Sequence, residues 1–150
     1  ISNFKFKNKN AIVLVAHGRK LVDFLEAKGF KPGDKIRNQL DIPLWIKYLY
    51  PKIMIFFKEE PDQIIINEYE KGQGITKHVD ANVFGPTIAS LSLLSNTDMT
   101  LGQYRGSETK QVLERRSLIV MSGEARSKWY HYISPVAEKR ISITFRTTLE

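Results

Sequence analysis

A histidine and an aspartate two residues apart are the first side chains in this sequence whose spacing could support chemistry. His78 and Asp80 stand either side of one valine, and in a β-strand residues two apart point to the same face, where both could bind one ion. His131, in a later stretch rich in β-forming residues, could supply a third ligand. Two histidines and one carboxylate leave other positions on the ion open, which suits an Fe(II) that must bind a cosubstrate and O₂, although zinc also fits this ligand count. For either histidine taken alone, a packing or surface role is the commoner one.

Two arginines six residues apart form a second feature. Polar and apolar residues alternate between Arg140 and Arg146, so in a strand both guanidinium groups would point to one face, with Ser142 and Thr144 beside them. A dicarboxylate would satisfy both arginines through paired charge-assisted hydrogen bonds. Because six residues span about 20 Å at ~3.3 Å each, the two side chains would have to approach such a ligand from opposite ends. A solvated strand face is the alternative interpretation.

Asn67 and Tyr69 place an amide and a phenol on one face of a predicted strand. A glycine-containing turn follows them and leads directly into the strand of His78. Both side chains could therefore donate hydrogen bonds to the same dicarboxylate.

The composition narrows the class of protein. The chain has 150 residues, a net charge of +7 and no cysteine, which excludes disulfides, zinc–cysteine sites, iron–sulfur clusters and thiol nucleophiles. Residues 1–60 hold 12 Lys/Arg against 6 Asp/Glu and so carry almost all of the basic surplus, which favours a phosphate-bearing partner, although a lysine-rich surface would look the same. The apolar runs are too short to span a membrane. We expect a monomeric intracellular protein, cytoplasmic or nuclear, with no membrane association.

The secondary-structure elements expected around these side chains indicate a mainly β domain whose helices precede the strands in the sequence. A strand is expected at Ala11–Ala16, a helix over residues 21–29, and a second helix from near Asp41 to just before Pro51. From Asp62 onward, short β-rich runs alternate with turn residues; they are Gln63–Tyr69, Thr76–Asp80, Thr87–Ser95, Met99–Leu101, Ser117–Met121, Trp129–Ile133 and Arg140–Thr148. This pattern favours an α+β jelly roll or β-sandwich supported by N-terminal helices.

Taken in order, these motifs resemble the AlkB family of Fe(II)/2-oxoglutarate dioxygenases. The resemblance runs from about Pro61 to Thr148 and rests on Asn67-Glu-Tyr69, Gly72-Gln-Gly-Ile75, His78-Val-Asp80, Trp129-Tyr-His131-Tyr-Ile-Ser-Pro135 and Arg140-x₅-Arg146. Pro61-Asp-Gln, with His17-Gly-Arg19 upstream, is similar to the branch that contains the oxygenase domain of the tRNA wobble-uridine hydroxylase.

The resemblance implies a fold, a cofactor set and a reaction. The fold would be a double-stranded β-helix in a single domain over 1–150, with a basic helical lid region over 1–60 and a catalytic β-core over 61–150. His78, Asp80 and His131 would bind Fe(II), and 2-oxoglutarate would be bound by Asn67, Tyr69, Arg140 and Arg146. Such an enzyme uses O₂, with ascorbate in vitro, to oxidise an alkyl group on a nucleic-acid base and releases succinate and CO₂.

Two chemical outcomes and two other functions stay open at this stage. The reaction could demethylate N-methylated bases in DNA or RNA, or it could hydroxylate a modified tRNA uridine. The alternatives are a protein or small-molecule oxygenase on the same scaffold and a non-catalytic basic nucleic-acid-binding domain.

The substrate contacts follow less directly from the motifs. Asn82 stands where the repair-type AlkB pattern has a second carboxylate, and Phe84 and Trp129 are candidates for stacking on a flipped base. Arg126 could line the site or form an outward salt bridge, and Arg19 could contact phosphate. Three further aromatic residues are stacking candidates, although helical spacing favours core packing for the first two: Trp45, Tyr48 and Tyr50.

Overall fold

Two antiparallel β-sheets form the body of the protein. A computed structural model describes residues 12–17 and 44–149. The strands are β1 (Ile12–His17), β2 (Gln63–Tyr69), β3 (Ile75–His78), β4 (Phe84–Leu93), β5 (Thr97–Gly102), β6 (Glu108–Leu113), β7 (Leu118–Met121), β8 (Tyr130–Ile133) and β9 (Arg140–Thr148). The major sheet has the order β1-β2-β9-β4-β7 and the minor sheet the order β3-β8-β5-β6. This arrangement confirms the predicted jelly roll.

Short helices precede the sheets. They are α1 (Leu44–Lys47), α2 (Tyr50–Ile53) and a 3₁₀ turn (Met54–Phe56), and a third helix, α3 (Gly123–Ser127), lies between β7 and β8. None of the helices in the described ranges is long and apolar enough to cross a membrane. The predicted helix over 21–29 lies outside the described residues.

Side-chain alternation along β9 separates the core from the site. Ile143 and Phe145 are buried with residues of α1 and α2 in one apolar cluster, on the helix-covered face of the major sheet. The alternate residues Ser142 and Thr144 line a cavity between the two sheets. This confirms the prediction that apolar and polar residues of this strand face opposite sides.

A second apolar cluster fills the space between the sheets. It draws residues from both sheets, namely Tyr69, Ile75, Ile88, Met99, Leu113, Met121, Ile133 and Val136. The site therefore lies in a packed interior whose side chains have little freedom to move.

Several predicted boundaries are wrong, each for a local physical reason. The helix expected to end before Pro51 is split, and Pro51 lies in the first turn of α2, where its missing N–H leaves no helical hydrogen bond unmade. The strand of His78 ends at that residue, so Asp80 lies just beyond it. β4 begins at Phe84, three residues before the predicted start. Strand β6 was not predicted because five of its six residues are exposed, and its sequence lacks the apolar alternation of a half-buried strand.

Candidate metal centre and cosubstrate pocket

Two strand neighbours and one loop residue bring three metal-binding side chains together. His78 at the end of β3 pairs directly with His131 of β8, and Asp80 follows two residues later. Asp80 Oδ1 lies 3.3 Å from His78 Nε2 and 3.5 Å from His131 Nε2. One potential ligand atom from each residue falls within 4.8 Å of the others. The structure thus brings together the three residues for which the sequence predicts a metal site.

The protonation states of these groups suit metal binding. Burial opposes ionisation of Asp80, but His78, the Arg146 guanidinium and His131 outweigh it and hold the pKa of this carboxyl below its usual value. Burial, with the positive charges nearby, lowers the pKa of His131 to about 4. The Nδ1 atom of His78 lies 2.7 Å from the Thr76 carbonyl, so donation from Nδ1 leaves the lone pair on Nε2. At neutral pH the site therefore offers the Asp80 carboxylate and a neutral His131 imidazole.

The donor set fits Fe(II). Asp80 Oδ1 is buried and forms no hydrogen bond, which is costly for a carboxylate oxygen unless a cation binds it. Two imidazoles and one carboxylate are the facial set typical of non-haem Fe(II) oxygenases. The residues present therefore match the metal that the resemblance implies.

Arg146 holds the other oxygen of the same carboxylate. Its Nη1 donates to Asp80 Oδ2 at 2.9 Å and its Nε donates to Gln63 Oε1 at 2.6 Å. The guanidinium also lies 3.7 Å from the centre of the Phe84 ring and is only 1% exposed. Arg146 contacts Asp80 and is not among the residues that line the cavity, so the expectation that both arginines reach one dicarboxylate from opposite ends stays a prediction. In this structure Arg146 orients Asp80 so that Oδ1 faces the histidines.

Arg140 is the arginine that faces the cavity. The pairing of β2 with β9 sets Tyr69 opposite Arg140 and Asn67 opposite Ser142, and all four residues line the cavity beside the metal ligands. Arg140 is 1% exposed; its Nη2 donates to Ser92 Oγ at 2.9 Å, whereas Nε and Nη1 form no hydrogen bond. Two unused donors on a buried cation indicate a place for an anionic ligand.

Asn67 and Tyr69 add polar atoms to the same wall. The Asn67 Oδ1 atom is buried and forms no hydrogen bond. Burial raises the pKa of Tyr69 above its usual value against the opposing pull of Arg140, so the phenol stays protonated and can donate. The cosubstrate residues named from the sequence, except Arg146, thus share one wall.

The structure gives Arg126 a role that neither sequence interpretation foresaw. Its side chain is buried and donates to the backbone carbonyls of Asp80, Ala81, Phe84 and Gly85 at 2.9–3.1 Å. It therefore forms neither an outward salt bridge nor a contact with the open cavity. Arg126 holds the loop that carries Asp80 against the α3 segment.

The remaining substrate candidates differ in accessibility. Phe84 is 2% exposed beneath Arg146 and is not available for stacking on a base. Asn82 is exposed on the loop just after Asp80, and Trp129 is half-buried just before β8. The Trp129 Nε1 atom is buried without a hydrogen-bond partner. Arg19 lies outside the described residues.

Two further polar residues were missed in the sequence. Gln63 is fully buried and fixes Arg146, and Ser92 accepts a hydrogen bond from Arg140. Gln63 lies in the Pro61-Asp-Gln motif, so the sequence did point to this residue. Its contact with Arg146, however, depends on the β2–β9 register. Tyr50, a stacking candidate, is also buried, and its hydroxyl donates to the Pro61 carbonyl at 2.9 Å.

Fold and site together define the class of protein. The family model described as the 2OG-Fe(II) oxygenase superfamily matches residues 26–146, and the chain belongs to this superfamily. It is a 2-oxoglutarate/Fe(II)-dependent dioxygenase domain, as the sequence motifs predict. A prolyl-4-hydroxylase from Pseudomonas putida has the same fold, with a TM-score of 0.59 and 14% identity over 93% of this chain and 69% of that one. At 14% identity, this similarity supports a shared fold and nothing further.

Sequence relatives confirm the narrower resemblance to the AlkB family. The chain is 47% identical over 79 residues to the tRNA (carboxymethyluridine(34)-5-O)-methyltransferase alkbh8 of Xenopus tropicalis, covering 52% of this chain and 13% of that protein. It is 30% identical over 132 residues to the RNA demethylase ALKBH9B of Arabidopsis thaliana, covering 79% of this chain and 26% of that protein. The chain thus spans only a small part of the length of either relative.

Proposed function

We propose that this domain oxidises an alkyl group on a base of RNA, using Fe(II), 2-oxoglutarate and O₂ and releasing succinate and CO₂. The proposal rests on two features that lie in the same cavity. The buried cluster of His78, Asp80 and His131 lies beside an arginine with unused donors. RNA is favoured as substrate because the relatives compared above are named for acting on tRNA and on RNA.

In this proposal each wall residue has one task. His78, Asp80 and His131 hold the iron, and Arg140 pairs with the distal carboxylate of 2-oxoglutarate through its Nε and Nη1 donors. The Tyr69 hydroxyl and the Asn67 amide hydrogen-bond the same cosubstrate and fix its orientation. When bound, iron and 2-oxoglutarate supply the oxidation of a C–H bond, which protein side chains cannot perform alone.

Several chain residues also govern the environment of this chemistry. Arg146 and Gln63 fix the Asp80 carboxylate, and Arg126 fixes the loop on which it lies. Apolar residues from both sheets surround the cavity, which excludes water and strengthens the electrostatic contacts inside it. Ascorbate serves as the reductant in vitro.

The fate of the oxidised group depends on the atom that bears it. A hydroxymethyl group on nitrogen is lost as formaldehyde and gives demethylation, whereas a hydroxyl on a stable carbon remains and gives a hydroxylated base. Asn82 can both donate and accept, so its amide is compatible with several base edges. We take the modified wobble uridine of tRNA as the first substrate to test, because the chain is 47% identical over 79 residues to alkbh8, which is named for acting on that position of tRNA.

The deciding experiment measures succinate and modified nucleosides together. The protein is incubated with Fe(II), 2-oxoglutarate, ascorbate and either total tRNA or methylated oligonucleotides, and the nucleosides are then analysed by mass spectrometry. We expect RNA-stimulated succinate formation and loss of one modified nucleoside, with neither in an Asp80→Asn variant. Succinate formation that no nucleic acid stimulates, without change in any nucleoside, would overturn the RNA proposal and favour a protein or small-molecule substrate.

A further inference from the structure

The hairpin that joins β5 to β6 lies at the metal end of the minor sheet. Leu101 of β5 pairs with the metal-site residue His131, and the next residue, Gly102, pairs with both Tyr130 of β8 and Glu108 of β6. The hairpin tip, residues 103–107, therefore begins two residues beyond Leu101, the β5 partner of His131. All five of its residues are exposed.

An exposed aromatic ring and an exposed cation occupy this tip. Tyr104 is 70% exposed, and its ring packs edge-on against Tyr130 with 4.9 Å between ring centres. The exposed Arg105 follows it in the chain. Tyr130 directly precedes His131 in β8, so their side chains point to opposite faces of the minor sheet. The Tyr104 ring therefore packs on the outer face, at the same end of the sheet as the metal ligands.

A network on the outer face of the sheet supports this ring. Tyr130 donates from its hydroxyl to Glu108 at 2.8 Å, and the Lys77 ammonium lies 4.2 Å from the centre of the Tyr130 ring. Lys77 Nζ also lies 3.9 Å from Glu108. The Glu108 carboxylate thus lies between a phenol and a cation, which reduces its repulsion of a passing phosphate.

We propose that Tyr104 and Arg105 form a contact for the RNA strand beside the oxidised base. Tyr104 stacks on a base that flanks the target nucleotide, and Arg105 pairs with a nearby phosphate. This inference rests on the proposed function, since it requires a nucleic-acid strand that passes the end of the minor sheet where His78 and His131 lie. An aromatic face with an adjacent cation is the combination that binds single-stranded nucleic acid without regard to base identity.

The chemistry of the two residues predicts separate effects on binding. Loss of a stacking ring weakens binding of single-stranded nucleic acid by about 5- to 100-fold. Loss of one phosphate-pairing cation lowers the slope of log K against log salt by about 1. A tyrosine that only covers its neighbour would change neither quantity.

The test uses the full chain with a fluorescein-labelled RNA hairpin of the anticodon stem–loop, titrated anaerobically in the presence of Fe(II) and 2-oxoglutarate. Tyr104→Ala is expected to raise the RNA dissociation constant by about 5- to 100-fold. Tyr104→Phe keeps the ring and is expected to retain the original affinity. Arg105→Ala is expected to weaken RNA binding and flatten its salt dependence.

Matched controls use the opposite end of the same hairpin. Val112→Ala and Arg115→Ala remove an exposed apolar and an exposed cationic side chain there, and both are expected to leave RNA affinity unchanged. In turnover assays Tyr104→Ala is expected to raise KM for RNA while leaving KM for 2-oxoglutarate and the RNA-independent turnover unchanged, which excludes misfolding as the cause.

The outcomes separate this inference from the proposed function. If the unmodified protein oxidises RNA but Tyr104→Ala and Arg105→Ala bind it as tightly as their controls, the assignment of the hairpin tip is overturned while the proposed function stands. If the unmodified protein neither binds nor oxidises RNA, the proposed function fails, and the hairpin contact fails with it.

Discussion

Replacing Arg140 with methionine should separate cosubstrate binding from protein stability. In the structure this side chain is 1% exposed, and only Nη2 donates a hydrogen bond, to Ser92 Oγ. The Nε and Nη1 donors have no partner within the protein. Arg140 is therefore a buried cation whose hydrogen bonds are incomplete until an anion binds.

The size of the effect follows from those two donors. A hydrogen bond to a charged group contributes about 1.5–3 kcal/mol, so losing two of them costs about 3–6 kcal/mol. We therefore expect Arg140→Met to raise the dissociation constant of 2-oxoglutarate by a factor on the order of 10² to 10⁴. Arg140→Lys should recover only part of the affinity, since an ammonium lacks the planar fork of donors.

We do not expect the stability of Arg140→Met to fall along with its affinity for 2-oxoglutarate. Burying a charge whose hydrogen bonds are incomplete opposes folding, and an apolar side chain of similar volume at the same position removes that cost. We expect the urea midpoint of Arg140→Met without 2-oxoglutarate to equal or exceed that of the unmodified protein.

Anaerobic isothermal titration calorimetry of 2-oxoglutarate into the Fe(II)-loaded protein measures the affinity. The exposed Arg115→Met variant is the matched control, because it removes the same charge at a distance from the cavity. An unchanged dissociation constant for Arg140→Met would refute the assignment of Arg140 as the cosubstrate anchor. A large loss of stability in that variant would refute the reasoning about its incomplete pairing.

Three further predictions concern the metal centre. His131→Ala should weaken Fe(II) binding by about 100-fold or more and abolish turnover; substantial metal binding by calorimetry would contradict its role as a ligand. Arg126→Met should lower the free energy of unfolding by at least about 3 kcal/mol, because four backbone carbonyls lose their donor. Arg126→Lys should recover only part of the lost free energy of unfolding. Equal urea midpoints for the unmodified protein and both variants would show that these hydrogen bonds do not stabilise the loop. Without metal, stability should fall as pH drops from about 6.5 to about 4 by about 3 kcal/mol, because the unfolded chain protonates His131 more readily than the folded protein. Urea unfolding of the unmodified protein and of His131→Gln across this pH range measures this effect. An equal pH dependence of stability in the two proteins would show that it does not come from His131.

The chemistry of the site was largely predictable because its signals are local. The alternation of β9 and the Asn67 and Tyr69 pair depend on side chains two residues apart within a strand, and the structure places both as expected. His78 and Asp80 also meet, although Asp80 lies just beyond the end of β3. Strand β6 was missed because an exposed edge strand needs no apolar face. Arg126 was misjudged because its partners are backbone carbonyls more than 40 residues away, which no sequence pattern reveals.

The sequence by itself determined which donor atoms this protein has and, for residues within strands, which face each occupies, since both follow from residue identity and two-residue periodicity. Only the tertiary structure decided which of those atoms meet. The pairing of β3 with β8 joins His78 to His131, and the β2–β9 register sets Gln63 beside Arg146. The same packing turns Arg146 toward Asp80 and leaves Arg140 facing the cavity. The register of distant strands depends on how the whole core packs, and shifting it by one residue would turn every side chain of a strand to the other face.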